Sequence, residues 1–240
     1  MVEREAPAAR LFSPGRLTLG VVLPLRRAEG VAVDFGEQLA LAAQADALGF
    51  DALWVRDVPL NGAWYPESFG HPDPLVMLGA LAARTARAVL GTAAIVLPLR
   101  HPLHVAKAAL SLDALTGGRF LLGLGSGDRP EEYAAFGRSG EERRELYRRH
   151  WDSVSAAVGT PQRIVLADGS IPAERFELRP APTGRLAMLA VGSGGQPLEW
   201  IARNAVGWAT YHRPPEVQRD RHALWRRAVE HVAPDAFRSF

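Results

Sequence analysis

Residues 89–127 read VLGTAAIVLPLRHPLHVAKAALSLDALTGGRFLLGLGSG: an apolar run, a turn, a helical segment and a second apolar run. Both runs are too apolar for exposed strands and too short to span a membrane. They predict two parallel strands buried on both faces and joined by one crossover helix. Small residues sit near each strand end, with Gly91-Thr92-Ala93-Ala94 in the first run and Gly125-Ser126-Gly127 closing the second. Such residues let a backbone approach something flat or charged. The stretch therefore predicts a βαβ unit whose strand ends hold a cofactor.

The same alternation continues on either side. Upstream, 17–24 (LTLGVVLP) reads as a strand ended by proline. Asp34 then opens a helix that Gly49 is placed to end, and 50–55 (FDALWV) forms a strand delivering Arg56 and Asp57 at its carboxyl end. Asp73-Pro74 is a helix start, a cap followed by a first-turn proline. Downstream, 141–158 is a charged amphipathic helix, its arginine cluster read as a solvated face, and 161–182 is an irregular hairpin excursion. Strands follow at 186–191 and 206–211, with helices from Pro197 and over 215–232. Regular alternation of this kind is the pattern of parallel βα units. A closed (β/α)₈ barrel of the TIM type needs two units more than the six read here. The expectation is thus a truncated barrel, a single domain over 17–240, after a floppy lead-in at 1–16. Its open sheet edge would need cover from a partner chain or from further strands.

Composition narrows the class. Of 240 residues, 48% are hydrophobic and 22% charged, the net charge is +2, and no cysteine is present, so disulfide and thiolate chemistry are excluded. No basic tract marks a nucleic-acid binder, and no apolar run approaches the roughly 20 residues of a membrane helix. A cytoplasmic, soluble protein acting on a small molecule is expected.

The obvious motifs mostly fail on inspection. Gly123-Leu124-Gly125-Ser126-Gly127-Asp128 ends in aspartate where a dinucleotide fingerprint has glycine, and no acidic ribose ligand follows it. No GK[ST] is present. Ser126 and Ser193 lack the first glycine of a nucleophile elbow, that place being held by Leu124 and Val191. His101 and His104 have no ligand partners at metal spacing. Gly192-Ser193-Gly194-Gly195-Gln196 reads either as an anion site or as a tight strand-to-helix turn. As an anion site it offers backbone N–H groups, a hydroxyl, an amide and a helix N-terminus; as a turn it needs glycine only for its geometry. Asp57 stands where α/β proteins place their chemistry, and it can equally pair with an arginine. The loop 58–72, carrying Trp64, Tyr65 and Phe69, is long and aromatic enough to wall a substrate pocket.

Taken together, FDALWVRD (50–57), VLGTAAIVLPLRHP (89–102), LDALTGGRF (112–120) and YAAFG (133–137) resemble the bacterial luciferase-like monooxygenase family. The resemblance implies a (β/α)₈ barrel that binds FMN, or in some branches coenzyme F420, at the carboxyl ends of its strands. It implies a non-prolyl cis peptide between Ala93 and Ala94, bulging against the flavin ring. It also implies a phosphate site at Ser193, Gly194, Gly195 and Gln196, which resolves the reading of that turn towards an anion. Ser126 takes the place of a phosphate-binding arginine, for which Arg129 is a replacement near at hand, and Val58 takes that of a catalytic histidine. The implied activity is oxygenation of an organic substrate with reduced FMN and O₂. The electrons would come from a separate flavin reductase or from NAD(P)H, with Asp57 orienting flavin or substrate. The missing units and the absent histidine equally fit a non-catalytic flavin-binding homodimer, similar to the shortened non-fluorescent flavoprotein of this family.

Overall fold

The computed structural model describes residues 7–25, 33–62, 70–166, 168–174, 176–182 and 184–240. Its strands are β1 (Gly20–Leu23), β2 (Ala52–Val55), β3 (Val89–Thr92), β4 (Ile95–Val96), β5 (Phe120–Gly125), β6 (Met188–Val191) and β7 (Trp208–Ala209). Its helices are α1 (Pro7–Leu11), α2 (Phe35–Leu48), α3 (Pro74–Ala82), α4 (Pro102–Thr116), α5 (Pro130–Ala135), α6 (Arg143–Ala157), α7 (Leu198–Asn204) and α8 (Pro215–Val232). The sheet runs β1-β2-β3-β5-β6-β7 with β4 also on β5, and every pair is parallel. Among the described residues β1 and β7 do not pair, so the sheet is a half-barrel with two edges. At one of them Ser239, close to the chain end, bridges Gly207 and accepts the Trp208 N–H, partly covering β7.

Helix boundaries follow their caps. Asp34 accepts the N–H groups of Gly36 and Glu37 at the start of α2, and Gly49 ends it in the left-handed conformation at φ 91°. Asp73 caps α3 through Leu75 and Val76, with Pro74 at the first helical position. The first strand is shorter than its apolar run, because Leu17 and Leu19 are largely exposed at this edge. Over 161–182 no strand forms among the described residues; the chain folds into a turn in which Leu166 donates to Ser170 and Asp168 accepts the Ser170 N–H.

Alternate strand residues separate two cores. Leu53, Leu90, Phe120, Leu122 and Leu124 face the helices, packing with Leu78, Leu81, Val105, Ala109, Leu110, Tyr147 and Trp151. Ala52, Val89, Leu121 and Leu189 turn to the inner face, where Leu11 joins them. This corrects the expectation of a floppy lead-in from residue 7 onward. Helix α1 packs Leu11 onto the inner core, and Arg10 donates to the Arg87 carbonyl. The reason is physical: the small Ala52 and its neighbours leave an apolar floor that must be covered. Residues 1–6 lie outside the described residues.

Two features set the strand ends. Trp54 lies flat against both neighbouring strands, where a Cβ on Gly20 or Gly91 would come within 2.5 or 2.4 Å of its ring. The glycine at 91 thus accommodates an internal tryptophan, not an external ligand. Second, β5 pairs with β3 in the register Gly91↔Leu121 and with β4 in the register Ile95↔Leu124, so one extra residue is held on the β3–β4 side. That residue is accommodated as a bulge. Thr92 replaces the missing ladder bonds: its hydroxyl donates to the Gly123 carbonyl at 2.7 Å and accepts the Gly123 N–H at 2.8 Å. A Cβ on Gly123 would lie 1.8 Å from the Thr92 carbonyl oxygen, so only glycine fits there. Ala93 and Ala94, joined by a cis peptide, follow at once.

Replacing Thr92 by valine keeps the shape but leaves the buried Gly123 N–H and carbonyl without their partner. The expected cost is about 2–4 kcal/mol, read from denaturant unfolding, with wild-type stability as the contrary result. Asp46 on α2 offers a second test. It accepts the N–H groups of Ala86, Arg87 and Ala88 just before β3. Burial pushes its carboxyl up, yet these three donors and Arg119 outweigh burial and hold it below its ordinary value of 3.8. A depressed folded value means stability that is present above the unfolded value and lost as pH falls through the folded one. Asp46→Asn should therefore be destabilised at pH 7 by about 1–2 kcal/mol and lose less than the wild type on acidification, both measured by urea midpoints.

Candidate active site

The carboxyl ends of the strands open into a cleft of about 810 Å³, within the range of small-molecule and cofactor sites. Val22 of β1 stands on one side and Ala209 to His212, at and beyond β7, on the other; Arg56-Asp57-Val58, Ala93-Ala94, Gly125 to Arg129 and Val191 to Gly195 lie between. Of the residues singled out in the sequence, Asp57, Ala93, Ala94, Ser126, Ser193, Gly194 and Gly195 all line this one space. Val58 also lines it and is buried, so the cleft is apolar where the family pattern has its histidine. Trp64, Tyr65 and Phe69 of the expected substrate wall lie outside the described residues.

The floor is the bulge. Gly125 leaves room for Ala94, whose Cβ would be 3.2 Å from one placed on that glycine, and Gly127, at φ 69°, makes room for the Val96 side chain. The glycines of 123–127 are thus used by the protein's own backbone turn, as the failure of the dinucleotide motif requires.

Asp57 holds this floor in place. Its carboxylate accepts the Val96 N–H at 3.0 Å and a bidentate pair of bonds from Arg100, Nε and Nη2, both at 2.8 Å. The same Arg100 Nη2 reaches Asp73, the cap of α3. The ion-pair alternative open at the sequence level is therefore present, and Asp57 also faces the cleft. Burial alone would weaken the Arg100 charge, but Asp57 and Asp73 raise its pKa and keep it protonated. Burial also raises the Asp73 carboxyl, which Arg100 and its backbone donors bring below the ordinary value. Nothing in the pattern around Arg100 marks it in advance; only the fold brings it across to Asp57.

Beyond the bulge stands a second buried pair, Arg129 and Glu132, at 2.9 Å. Arg129 also donates to the Leu60 carbonyl at 3.1 Å. Burial raises the Glu132 carboxyl, opposed by Arg129 and the Leu60 N–H, and the neighbouring Asp57 adds to the rise. Arg129 is thus engaged at the base of the 58–72 loop rather than held in reserve for a phosphate.

The glycine turn closes the cleft on the side of α6. Gly192, Gly194 and Gly195 all have positive φ, at 69°, 57° and 75°. A Cβ on Gly194 would meet the Tyr147 ring at 2.5 Å, and one on Gly195 the Arg144 stem at 3.1 Å. Ser193 accepts the Gly195 N–H on its hydroxyl at 3.3 Å and the Gln196 N–H on its carbonyl at 2.9 Å. Gln196 departs from its expected role as a direct donor. Its amide is buried behind the turn and bonds the carbonyls of Arg144 and Gly194, so it braces the turn instead of lining the cleft. Ser126 presents its hydroxyl beside Gly127, while its carbonyl accepts the Tyr133 hydroxyl.

A methyl-lined floor and a glycine turn with small polar groups thus share one cleft at the strand ends, where α/β barrels place their sites. The chain belongs to the luciferase-like monooxygenase family, whose model matches residues 17–238. It is 30% identical over 227 residues to 4-hydroxyprotoasukamycin monooxygenase of Streptomyces nodosus subsp. asukaensis, covering 91% of this chain and 60% of that protein. Its fold is similar to that of the oxygenating constituent of 3,6-diketocamphane monooxygenase of Pseudomonas putida in complex with FMN, at a TM-score of 0.73 and 16% identity, covering 90% of this chain and 63% of that one. It is also similar to that of an F420-dependent secondary alcohol dehydrogenase, at a TM-score of 0.75 and 16% identity, covering 92% of this chain and 67% of that one. The chain therefore spans about three fifths of the length of its monooxygenase relative. Among the described residues no helix is long and apolar enough to cross a membrane.

Asp57→Asn leaves a partly buried guanidinium with half its countercharge. It should cost about 2–3 kcal/mol in denaturant unfolding, less than a fully buried pair because Arg100 is one-quarter exposed. An unchanged unfolding midpoint would show that the pair does not hold the floor.

Proposed function

We propose that this chain is a flavin-dependent oxidoreductase, a monooxygenase that uses reduced FMN and O₂ on an organic substrate. The observation that carries the reading is one cleft lined both by the Ala93-Ala94 bulge, which offers methyl groups, and by the glycine turn, which offers small polar groups. Such a space suits a planar ring with a phosphate-bearing tail. Membership of the family supports it, as does the monooxygenase relative. When bound, the flavin supplies the redox and oxygen chemistry, with electrons from NAD(P)H directly or from a separate reductase. The chain's part is positional. Ala93 and Ala94 support the ring face, and Ser193, Gly194, Gly195 and Ser126 surround the phosphate. Asp57, through Arg100 and the Val96 N–H, fixes the floor against which the ring lies. The buried Val58 wall keeps water from the reacting face.

Titrating the purified protein with FMN and with F420, each oxidised and reduced, tests the reading through flavin absorbance and fluorescence. Micromolar FMN binding is expected, together with oxygen-dependent NAD(P)H consumption when a flavin reductase is added. F420 binding without FMN binding would replace the monooxygenase reading with an F420-dependent one, the cofactor named for the secondary alcohol dehydrogenase of similar fold. Binding of neither overturns both.

A further inference from the structure

Among the described residues three carboxylates line the cleft, Asp57, Asp128 and Glu132, and they differ in how their oxygens are engaged. Asp57 is fully bonded: Oδ2 accepts the Val96 N–H and Arg100 Nε, and Oδ1 accepts Arg100 Nη2. Asp128 is exposed, so water satisfies it and it gains little from any one ligand. Glu132, in α5, is buried, at 5% exposure. Its Oε1 accepts Arg129 Nη1 at 2.9 Å and the Leu60 N–H at 3.4 Å. Its Oε2 accepts no hydrogen bond from the described residues. Burial raises this carboxyl against Arg129 and the Leu60 N–H, and Asp57 adds to the rise. A donor brought by a ligand would therefore relieve a charge that the site holds at a cost.

A buried acceptor without a partner discriminates strongly, because leaving it unmet costs more than meeting it gains. We infer that Glu132 is the specificity-determining acceptor of this cleft, its Oε2 receiving a hydrogen bond from the substrate. The substrate is then an organic molecule bearing a hydroxyl or another polar hydrogen, not one whose only polar atoms are ether or ketone oxygens. The inference rests on the proposed function and names the substrate class of that same cleft. It also moves ligand recognition from Asp57, the acid singled out in the sequence, to an acid that the sequence does not mark.

The test loads the protein with FMN, or with F420 if that is what it binds, and titrates three probes of like shape. These are 2-naphthol, which donates, 2-methoxynaphthalene, which does not, and 2-acetylnaphthalene, which only accepts; binding is read from the cofactor's absorbance. The wild type should favour 2-naphthol over its methyl ether by about 10- to 100-fold, the span of a hydrogen bond to a charged group. Glu132→Gln should reverse the preference. Arg129 and the Leu60 N–H both need an oxygen, so the amide turns its NH₂ to the free position and offers a donor there. The variant should favour 2-acetylnaphthalene over 2-naphthol by about tenfold, a reversal that a merely structural role does not produce. A second measurement needs no variant. The charged and titratable groups that act on Glu132 are Arg129, Asp57 and Tyr133. As pH falls through its carboxyl range, which lies above the ordinary 4.5, the wild-type preference for 2-naphthol should fade while the ether binds as before. A preference unchanged at low pH overturns this inference. So do wild-type affinities for 2-naphthol and the ether within about twofold, or binding of neither, and cofactor binding then leaves the proposed function standing. An equal loss of all three probes in Glu132→Gln marks a structural brace and overturns it likewise. A wild type that binds neither FMN nor F420 overturns both.

Discussion

The structure depends on one mismatch in a ladder. Strand β5 is continuous, whereas the chain opposite it carries a residue too many between Gly91 and Ile95. A parallel sheet buried on both faces cannot leave the resulting gap unbonded, and the Thr92 hydroxyl fills it from both sides of Gly123. Everything that makes the cleft follows from this. The surplus residue pushes Ala93 and Ala94 out of the sheet, the Val96 N–H comes within reach of Asp57, and Asp57 then draws Arg100 and the start of α3 into one network. A site is placed here because the sheet could not be perfect there.

Much of the fold was legible because it rests on local rules. The caps at Asp34 and Asp73, the left-handed Gly49 and the alternation of apolar runs with helices are all properties of short windows. Six parallel units and an unclosed sheet follow from counting them. The cis peptide at Ala93-Ala94 was legible only through resemblance, since two alanines carry no such signal of their own. Long-range partners escaped the sequence altogether. Trp54 gives no sign that it will occupy the space left by Gly20 and Gly91, and Arg100 none that it will pair with Asp57. Leu11 reads as part of a charged, proline-containing lead-in until the small inner face it covers is seen.

The candidate site was readable in position more than in role. Strand ends and glycine turns announce where a ligand goes, and seven of the eight residues named for it share the cleft. What each does depends on competition for hydrogen bonds that only three dimensions decide. Asp57 is a buried residue at the cleft's edge that is held in a structural ion pair, Arg129 is taken up by Glu132, and Gln196 turns inward to brace the residues beside it. The side chains that bear on function without being singled out, Thr92 and Arg100 above all, are ordinary residues made special by register.

The glycine turn has an optical consequence. Gly194 lies against the Tyr147 ring, and Tyr147, Trp151 and Trp200 form a cluster with centroid separations of 5.5–6.3 Å, over which Arg148 is stacked on Trp200. Trp200 belongs to α7, the helix that follows the turn directly. The molecule therefore carries indoles next to one wall of the cleft. Their emission makes this end of the cleft visible separately from the floor, with no label attached.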